Sequence, residues 1–363
     1  MIEQKKTFYG LNFLVSVAAI VIIIAGINLA QSVIVLFLVA VFLALIGTPP
    51  VLWLQKKHFS SFASVTIVVT VMIIILMMIG VIVGVSFKSF TDALPFYLTR
   101  IQAQITSFET LLTKNGIIGT DKILLKYLNP EAILDLITTL LAGLSSAFSN
   151  ILLVLLTVIF ILLEVTSFPV KIRAVLGNPE AVFPRFAKFI VDIRNYVVIT
   201  TLVNLAAGIL IWLWLSILGV SFPVLWGFLV FLLHYIPNIG SVIAALPAII
   251  LAQIQLGLSD ALLVAAGYLL VGLVLGNFIQ PKLMGRRLGL STLVVFLSLI
   301  FWGSLLGIVG AVLCIPLTMT LKFAFDSNEE TKWIGVLLGP EKPVEDKHST
   351  LNKKRKAYEK DKD

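Results

Sequence analysis

Long apolar runs without charge decide the solvent of this chain. Leu11–Leu29, Ser32–Leu54 and Phe62–Phe87 contain no Asp, Glu, Lys or Arg. About 20 apolar residues cross a bilayer core as a helix. Of the 363 residues, 59% are hydrophobic and 13% charged. Soluble domains hold roughly 45–50% apolar and about 25% charged residues. A soluble core cannot hide this much apolar surface. Backbone groups in lipid must find partners within their own segment, which favours helices. The expected fold class is therefore an all-α polytopic integral membrane protein.

Span length and loop charge together give a topology. Lys5 and Lys6 precede the first span, which is too long for a signal-peptide core and lacks a cleavage pattern. Lys56 and Lys57 follow the second span, so Phe62–Phe87 leads outward. Residues 88–145 carry balanced charge and an amphipathic helical pattern (Ile101, Ile105, Phe108, Leu112), as expected of a small extracytoplasmic helical domain. Phe148–Val165 returns inward. A basic loop with Lys171, Arg173, Arg185, Lys188 and Arg194 follows, before Tyr196–Leu218 crosses outward. Ala261–Ile279 comes back to a loop with Lys282, Arg286 and Arg287. Ser291–Leu305 and Gly307–Phe323 close the membrane part as a tight hairpin. The reading gives about eight transmembrane helices with both termini cytoplasmic. Its regions are helices 1–3 in 1–87, an extracytoplasmic part in 88–145, a transport core in 146–325 and a charged, disordered tail in 326–363.

Residues 222–258 do not fit a simple span. The segment HYIPNIGSVIAALP, His234–Pro247, places a histidine, an asparagine, two prolines and a glycine within apolar sequence. Phe222 to Ile236 is 15 residues, about 22 Å of helix, against a bilayer core of about 30 Å. Pro237 cannot continue a helical ladder. The second half, from Ile239, is expected to be interrupted near Pro247. A re-entrant helical hairpin over 222–258 fits best, although charge parity does not separate it from two spans. A helix broken at membrane depth exposes carbonyls and N–H groups that can hold a polar solute if they line a cavity. Tyr235, Pro237, Asn238, Gly240 and Ser241 form the candidate contact region, with Pro247 in the second half. A packing kink is the plainer alternative.

Other polar residues near the membrane are few. His234 either couples a proton to transport or is a neutral hydrogen-bonding group. Glu164 either serves coupling or reaches the interface at the end of its span. Asn277 and Gln280 either line an inner vestibule or belong to a helix-terminating turn beside Pro281. Lys56, Lys57, Lys282, Arg286 and Arg287 are read as membrane-orientation residues.

The formal net charge of +8 does not indicate nucleic acid. From Asp326 onward there are nine Lys/Arg and nine Asp/Glu, and the remaining excess sits in short loops. Cys314 is the sole cysteine and reads as a small buried hydrophobe. Neither a Walker A sequence, a His/Cys metal cluster nor a serine–histidine–acid pattern is visible, so no enzyme, cofactor or metal is expected.

Three stretches, Tyr235–Pro247 (YIPNIGSVIAALP), Gly276–Ser291 (GNFIQPKLMGRRLGLS) and Thr292–Thr318 (TLVVFLSLIFWGSLLGIVGAVLCIPLT), resemble the autoinducer-2 exporter family of bacterial membrane proteins. The resemblance covers roughly residues 10–325. It departs at His234, where relatives usually have Asn. It implies export of a small polar signalling molecule from the bacterial inner membrane by a homo-oligomer, a pentamer on the family pattern. Some relatives resemble Na⁺/H⁺ antiporters, which is one alternative. A non-transporting membrane scaffold is another, and it leaves the broken helix unexplained.

Overall fold

The computed structural model describes residues 2–114, 150–165, 171, 179–237, 239–284 and 289–340. Asn238, Arg286, Arg287, the greater part of the expected extracytoplasmic region and the tail beyond 340 lie outside the described residues. Among those described, every regular element is helical. In chain order they are α1 (Ile2–Leu29), α2 (Gln31–Lys56), α3 (Ser61–Lys114), α4 (Ile151–Glu164), α5 (Pro179–Leu218), α6 (Pro223–Leu233) and α7 (Gly240–Gln255). These are followed by α8 (Leu258–Gly272), a π-helical stretch (Leu273–Ile279), α9 (Gln280–Met284), α10 (Thr292–Val312), α11 (Cys314–Ser327) and α12 (Lys332–Leu337).

Five of these stretches are long and apolar enough to cross a membrane: Gln31–Lys56, Ser61–Tyr97, Phe186–Leu218, Leu258–Met284 and Thr292–Val312. Val17–Leu29, α4, α6 and α7 are apolar but shorter. Large apolar side chains point outward along the helices; Leu152 is 76% exposed and Ile217 77%. That pattern suits a lipid solvent, because water would penalise so much contiguous apolar surface.

Five boundaries differ from the sequence reading. Helix α5 begins at Pro179 rather than Tyr196, so Arg185, Lys188 and Arg194 of the expected basic loop lie on the helix itself. The third helix does not stop at Phe87 but runs unbroken to Lys114, through Pro95. Helix α7 is continuous through Pro247, so the expected interruption there is absent. A proline removes one N–H from the ladder, and this buried site tolerates the loss without ending the helix. The helix starting at Leu258 passes Ile279 and continues to Met284. Its π-helical stretch lies just before Pro281, and the wider turn relieves the crowding between the ring and the carbonyl four residues back. Finally, residues 326–340 are not a loose tail. Thr331 Oγ1 donates to the Phe325 carbonyl at 3.1 Å and Ser291 N to the Leu338 carbonyl at 3.1 Å. Leu338 packs on the core made by α5, α10 and α11.

Of the glycines expected at the final turn, Gly307 makes it and Gly303 remains helical. Gly307 has φ 66° and turns the chain inside α10. At Gly310 an added Cβ would strike the Trp302 carbonyl, so the two limbs meet backbone to backbone. Trp302 Nε1 donates to Thr318 Oγ1 across them at 3.1 Å.

Three apolar clusters divide the interior. One joins α2, α3 and α4; a second joins parts of α5, α10 and α11. The largest surrounds α6 and α7, with α3, α5 and α8 as its walls. Within it α5 and α6 approach at facing glycines. A Cβ on Gly208 would lie 2.7 Å from the Gly227 carbonyl oxygen, and one on Gly227 would lie 2.7 Å from that of Gly208. Small residues let helices in lipid pack by dispersion at short range. Gly227→Val should therefore cost about 1–3 kcal/mol, measured as a lower melting temperature of the purified chain in detergent. Gly80→Ala is the matched comparison. Its methyl meets nothing within 4 Å, and the melting temperature should be unchanged or slightly higher.

Candidate functional site

The path into the site begins where α5 ends. Gly219 (φ 75°) and Phe222 (φ 59°) turn the chain back, and Pro223 starts α6 at a position that needs no N–H. Trp226 Nε1 donates to the Ser221 carbonyl at 2.9 Å, and Phe90 packs edge-on against both Phe222 and Trp226. Helix α6 then runs 11 residues and stops.

The segment 234–239 makes the turn. Pro237 has no N–H to give the Leu233 carbonyl, which instead accepts from Ile236 N at 2.8 Å. Ile239 N donates to the Pro237 carbonyl at 2.7 Å, and Gly240 N to the Ile236 carbonyl at 3.2 Å. Gly240 opens α7 against the end of α6, where any Cβ would overlap the Leu233 carbonyl. This turn therefore requires glycine for space.

The two limbs return to a common level. At the open end, Gln255 Oε1 accepts from Ser221 N at 3.0 Å, and Gln255 Nε2 donates to Tyr97 Oη at 2.6 Å. Arg100 adds a long contact from Nη1 to the Ile254 carbonyl at 3.5 Å. The chain from Ser221 to Gln255 is thus a helical hairpin, closed at the base by side chains and braced by α3.

The tip rests on a polar face of α5. Tyr235 Oη donates to Thr201 Oγ1 at 2.8 Å, and Thr201 Oγ1 in turn donates to the Val197 carbonyl at 2.7 Å. Asn204 is fully buried. With its carboxamide oriented to match donors with acceptors, it donates to the Thr200 carbonyl at 3.1 Å and accepts from Tyr235 N at 3.2 Å. Phe42 and Phe231 flank the tyrosine ring edge-on. Among the described residues, His234 Nδ1 at the tip is buried without a hydrogen-bond partner. A buried polar atom without a partner costs about 1–3 kcal/mol, so such atoms suit contact with a polar guest.

The sequence candidates separate into three places. His234, Tyr235, Pro237, Gly240 and Ser241 come together at the tip, with Tyr235 buried as the anchor and Ser241 half-buried at the start of α7. Pro247 sits further along α7, buried in the surrounding core. Asn277 is exposed on the π-helical stretch and Gln280 half-buried just beyond it; neither forms a hydrogen bond with the tip among the described residues. Glu164 ends α4 and pairs with Lys171 at 2.6 Å, with both side chains partly exposed. This is the interface-type environment, and such pairs contribute little. Lys57 lies 4.7 Å above the Trp53 ring. Lys56 shares a groove with Arg194, and Lys282 is exposed.

Thr200, Thr201 and Asn204 are absent from the sequence-based candidates. Their signal was available, because polar residues at i and i+4 in VVITTLVNLAAG mark one helix face. Which partner that face meets is tertiary information. Tyr235→Phe should cost about 0.5–1.5 kcal/mol, whereas Asn204→Leu, which leaves the buried Tyr235 N–H only a long 3.4 Å bond to the Leu232 carbonyl and removes the donor to the Thr200 carbonyl, should cost about 1–3 kcal/mol. Melting temperatures of the two purified variants check the order.

Comparison with known proteins identifies the family. The AI-2E family transporter domain matches residues 17–329. The AI-2 transport protein TqsA of Escherichia coli (strain K12) is 40% identical over 338 residues, covering 93% of this chain and 98% of the relative. The putative transport protein YhhT of the same organism is 36% identical over 341 residues, covering 94% and 97%. A putative transport protein of Haemophilus influenzae is 33% identical over 332 residues, covering 90% and 95%. The match takes in the hairpin, its α5 wall and the final hairpin together, and the chain belongs to the AI-2E family of membrane transporters.

Proposed function

We propose that this protein exports autoinducer-2, or a similar small polar metabolite, across the bacterial inner membrane, and that the hairpin tip is where the solute makes contact. The observation that carries the reading is the tip itself. It combines a broken helix, a polar face of α5 and, among the described residues, an unpartnered buried His234 Nδ1 inside an apolar helical bundle. The cargo is taken from the name of the TqsA relative.

In this reading 222–258 is a re-entrant hairpin among eight spans. Both termini are cytoplasmic, and residues 88–145 supply the extracytoplasmic part. Asn238 and Ser241 offer the solute hydrogen bonds, His234 does so as a neutral group, and Tyr235 holds the tip on α5. Gly240 keeps the turn tight. Asn277 and Gln280 belong to an inner vestibule reached before or after the tip. Movement of the hairpin against α5 alternates the exposure of the contact region, with no covalent step. The functional unit is a homo-oligomer, with five subunits as the expectation.

Cation antiport normally relies on carboxylates that lose and regain protons within the membrane. The side chains that meet the tip through hydrogen bonds or ring contacts are neutral, which favours solute transport.

The test is flux in oriented proteoliposomes with labelled autoinducer-2, run beside a pH-sensitive dye with and without Na⁺. Solute flux without a Na⁺-dependent pH change is expected. A Na⁺-dependent pH change without solute flux makes the protein an antiporter, and neither signal makes it a scaffold. Asn238→Ala and Ser241→Ala should each lower flux roughly tenfold, the worth of about one hydrogen bond, with elution on size exclusion unchanged. His234→Asn should retain flux within about twofold across roughly pH 5 to 8, the range in which an unperturbed histidine changes charge.

A further inference from the structure

A second site lies at the end of α2, away from the hairpin tip. A groove of about 690 Å³ opens between the last turns of α2 and the middle of α5. Lys56 and Arg194 line it, together with the carboxamides of Gln55 and Asn195. No acidic residue is part of its lining. Among the described residues, Gln55 Nε2 is buried without a hydrogen-bond partner. A stranded donor beside two cations calls for an anionic acceptor.

The rest of the lining is apolar, including Ile199, and Trp53 stands at the edge, 57% exposed, beneath Lys57 Nζ. Tryptophan beside lysine is the composition of a membrane–water interface. The groove therefore offers positive charge at headgroup depth and apolar wall beyond it. Basic pockets between transmembrane helices bind phosphate-bearing headgroups by this chemistry.

We propose that the α2–α5 groove is a binding site for a phosphate-bearing anion, held by Lys56, Arg194, Gln55 and Asn195. Two sources present that group: the headgroup of an anionic phospholipid, and free phosphate or a phosphorylated solute. The apolar wall and Trp53 fit the lipid, whose chains continue along α5. Arg194 can grip two phosphate oxygens at once, whereas Lys56 acts as a point charge. The site is independent of the transport assignment, since none of these four residues belongs to the hairpin.

The experiment is native mass spectrometry of the full chain released from detergent. It is titrated separately with phosphatidylglycerol, phosphatidylcholine and inorganic phosphate. The wild type should retain phosphatidylglycerol in preference to phosphatidylcholine. The double variant Lys56→Gln/Arg194→Gln should lose roughly tenfold or more of that preference, since each basic group near an anionic surface supports binding about fivefold. The charge-keeping double variant Lys56→Arg/Arg194→Lys should stay folded and keep most of the preference, which guards against a trivial loss of structure. If inorganic phosphate binds in a Lys56- and Arg194-dependent way and phosphatidylglycerol shows no preference, the anion site stands and its source is soluble. Equal retention of both lipids by the wild type without phosphate binding overturns the proposal. So does a preference that survives in the glutamine variant.

Discussion

The structure around the hairpin depends on the partnering of backbone groups where α6 stops. A helix that ends among apolar neighbours leaves N–H and C=O groups that lipid cannot satisfy. Here the chain turns so that the Leu233 and Ile236 carbonyls accept from Ile236 and Gly240, while on α5 Asn204 accepts from the Tyr235 N–H and Thr201 accepts from the Tyr235 hydroxyl. The same polar face that makes the break tolerable also brings hydroxyls and a carboxamide to the tip. Stability and a capacity for polar contact thus arise from one arrangement.

Close approach is the second requirement. Hydrogen bonds of this length reach the tip only if α6 lies tightly on α5 and α7 folds tightly on α6. Gly208 and Gly227 allow the first, and Gly240 allows the second. Trp214 reinforces the wall by laying its indole over Gly267 and donating to the Leu263 carbonyl at 3.1 Å. At the opposite end, Tyr97, Ser221 and Gln255 tie the limbs to α3, so the hairpin is held at both ends while its middle packs by apolar contact.

The sequence was most informative where chemistry is local. Pro237 announced the break and Gly307 the final turn, because proline and positive-φ glycine act through their own backbone; Gly240 marks the break through the space it leaves. It was least informative where neighbours decide. Pro95, Pro247 and Pro281 look like helix breakers and are not, since packing or a π-helical turn absorbs the missing hydrogen bond. Glu164 was readable either as a coupling group or as an interface residue, and its ion pair with Lys171 is a contact that residue type alone does not announce. Thr200, Thr201 and Asn204 were passed over because a polar stripe on a span has no meaning until the facing element is known.

Apolar run length and the scarcity of charge determined by themselves that this chain is helical and lives in lipid, because backbone hydrogen bonding in a nonpolar solvent admits few alternatives. The interruption at 234–240 was likewise written in residue type. Tertiary structure alone decided that the two short helices fold back with their bases joined, that α5 receives the tip, and that Lys56 meets Arg194 in a groove. Each of these joins residues far apart in the chain, and periodicity identifies a face without naming what covers it.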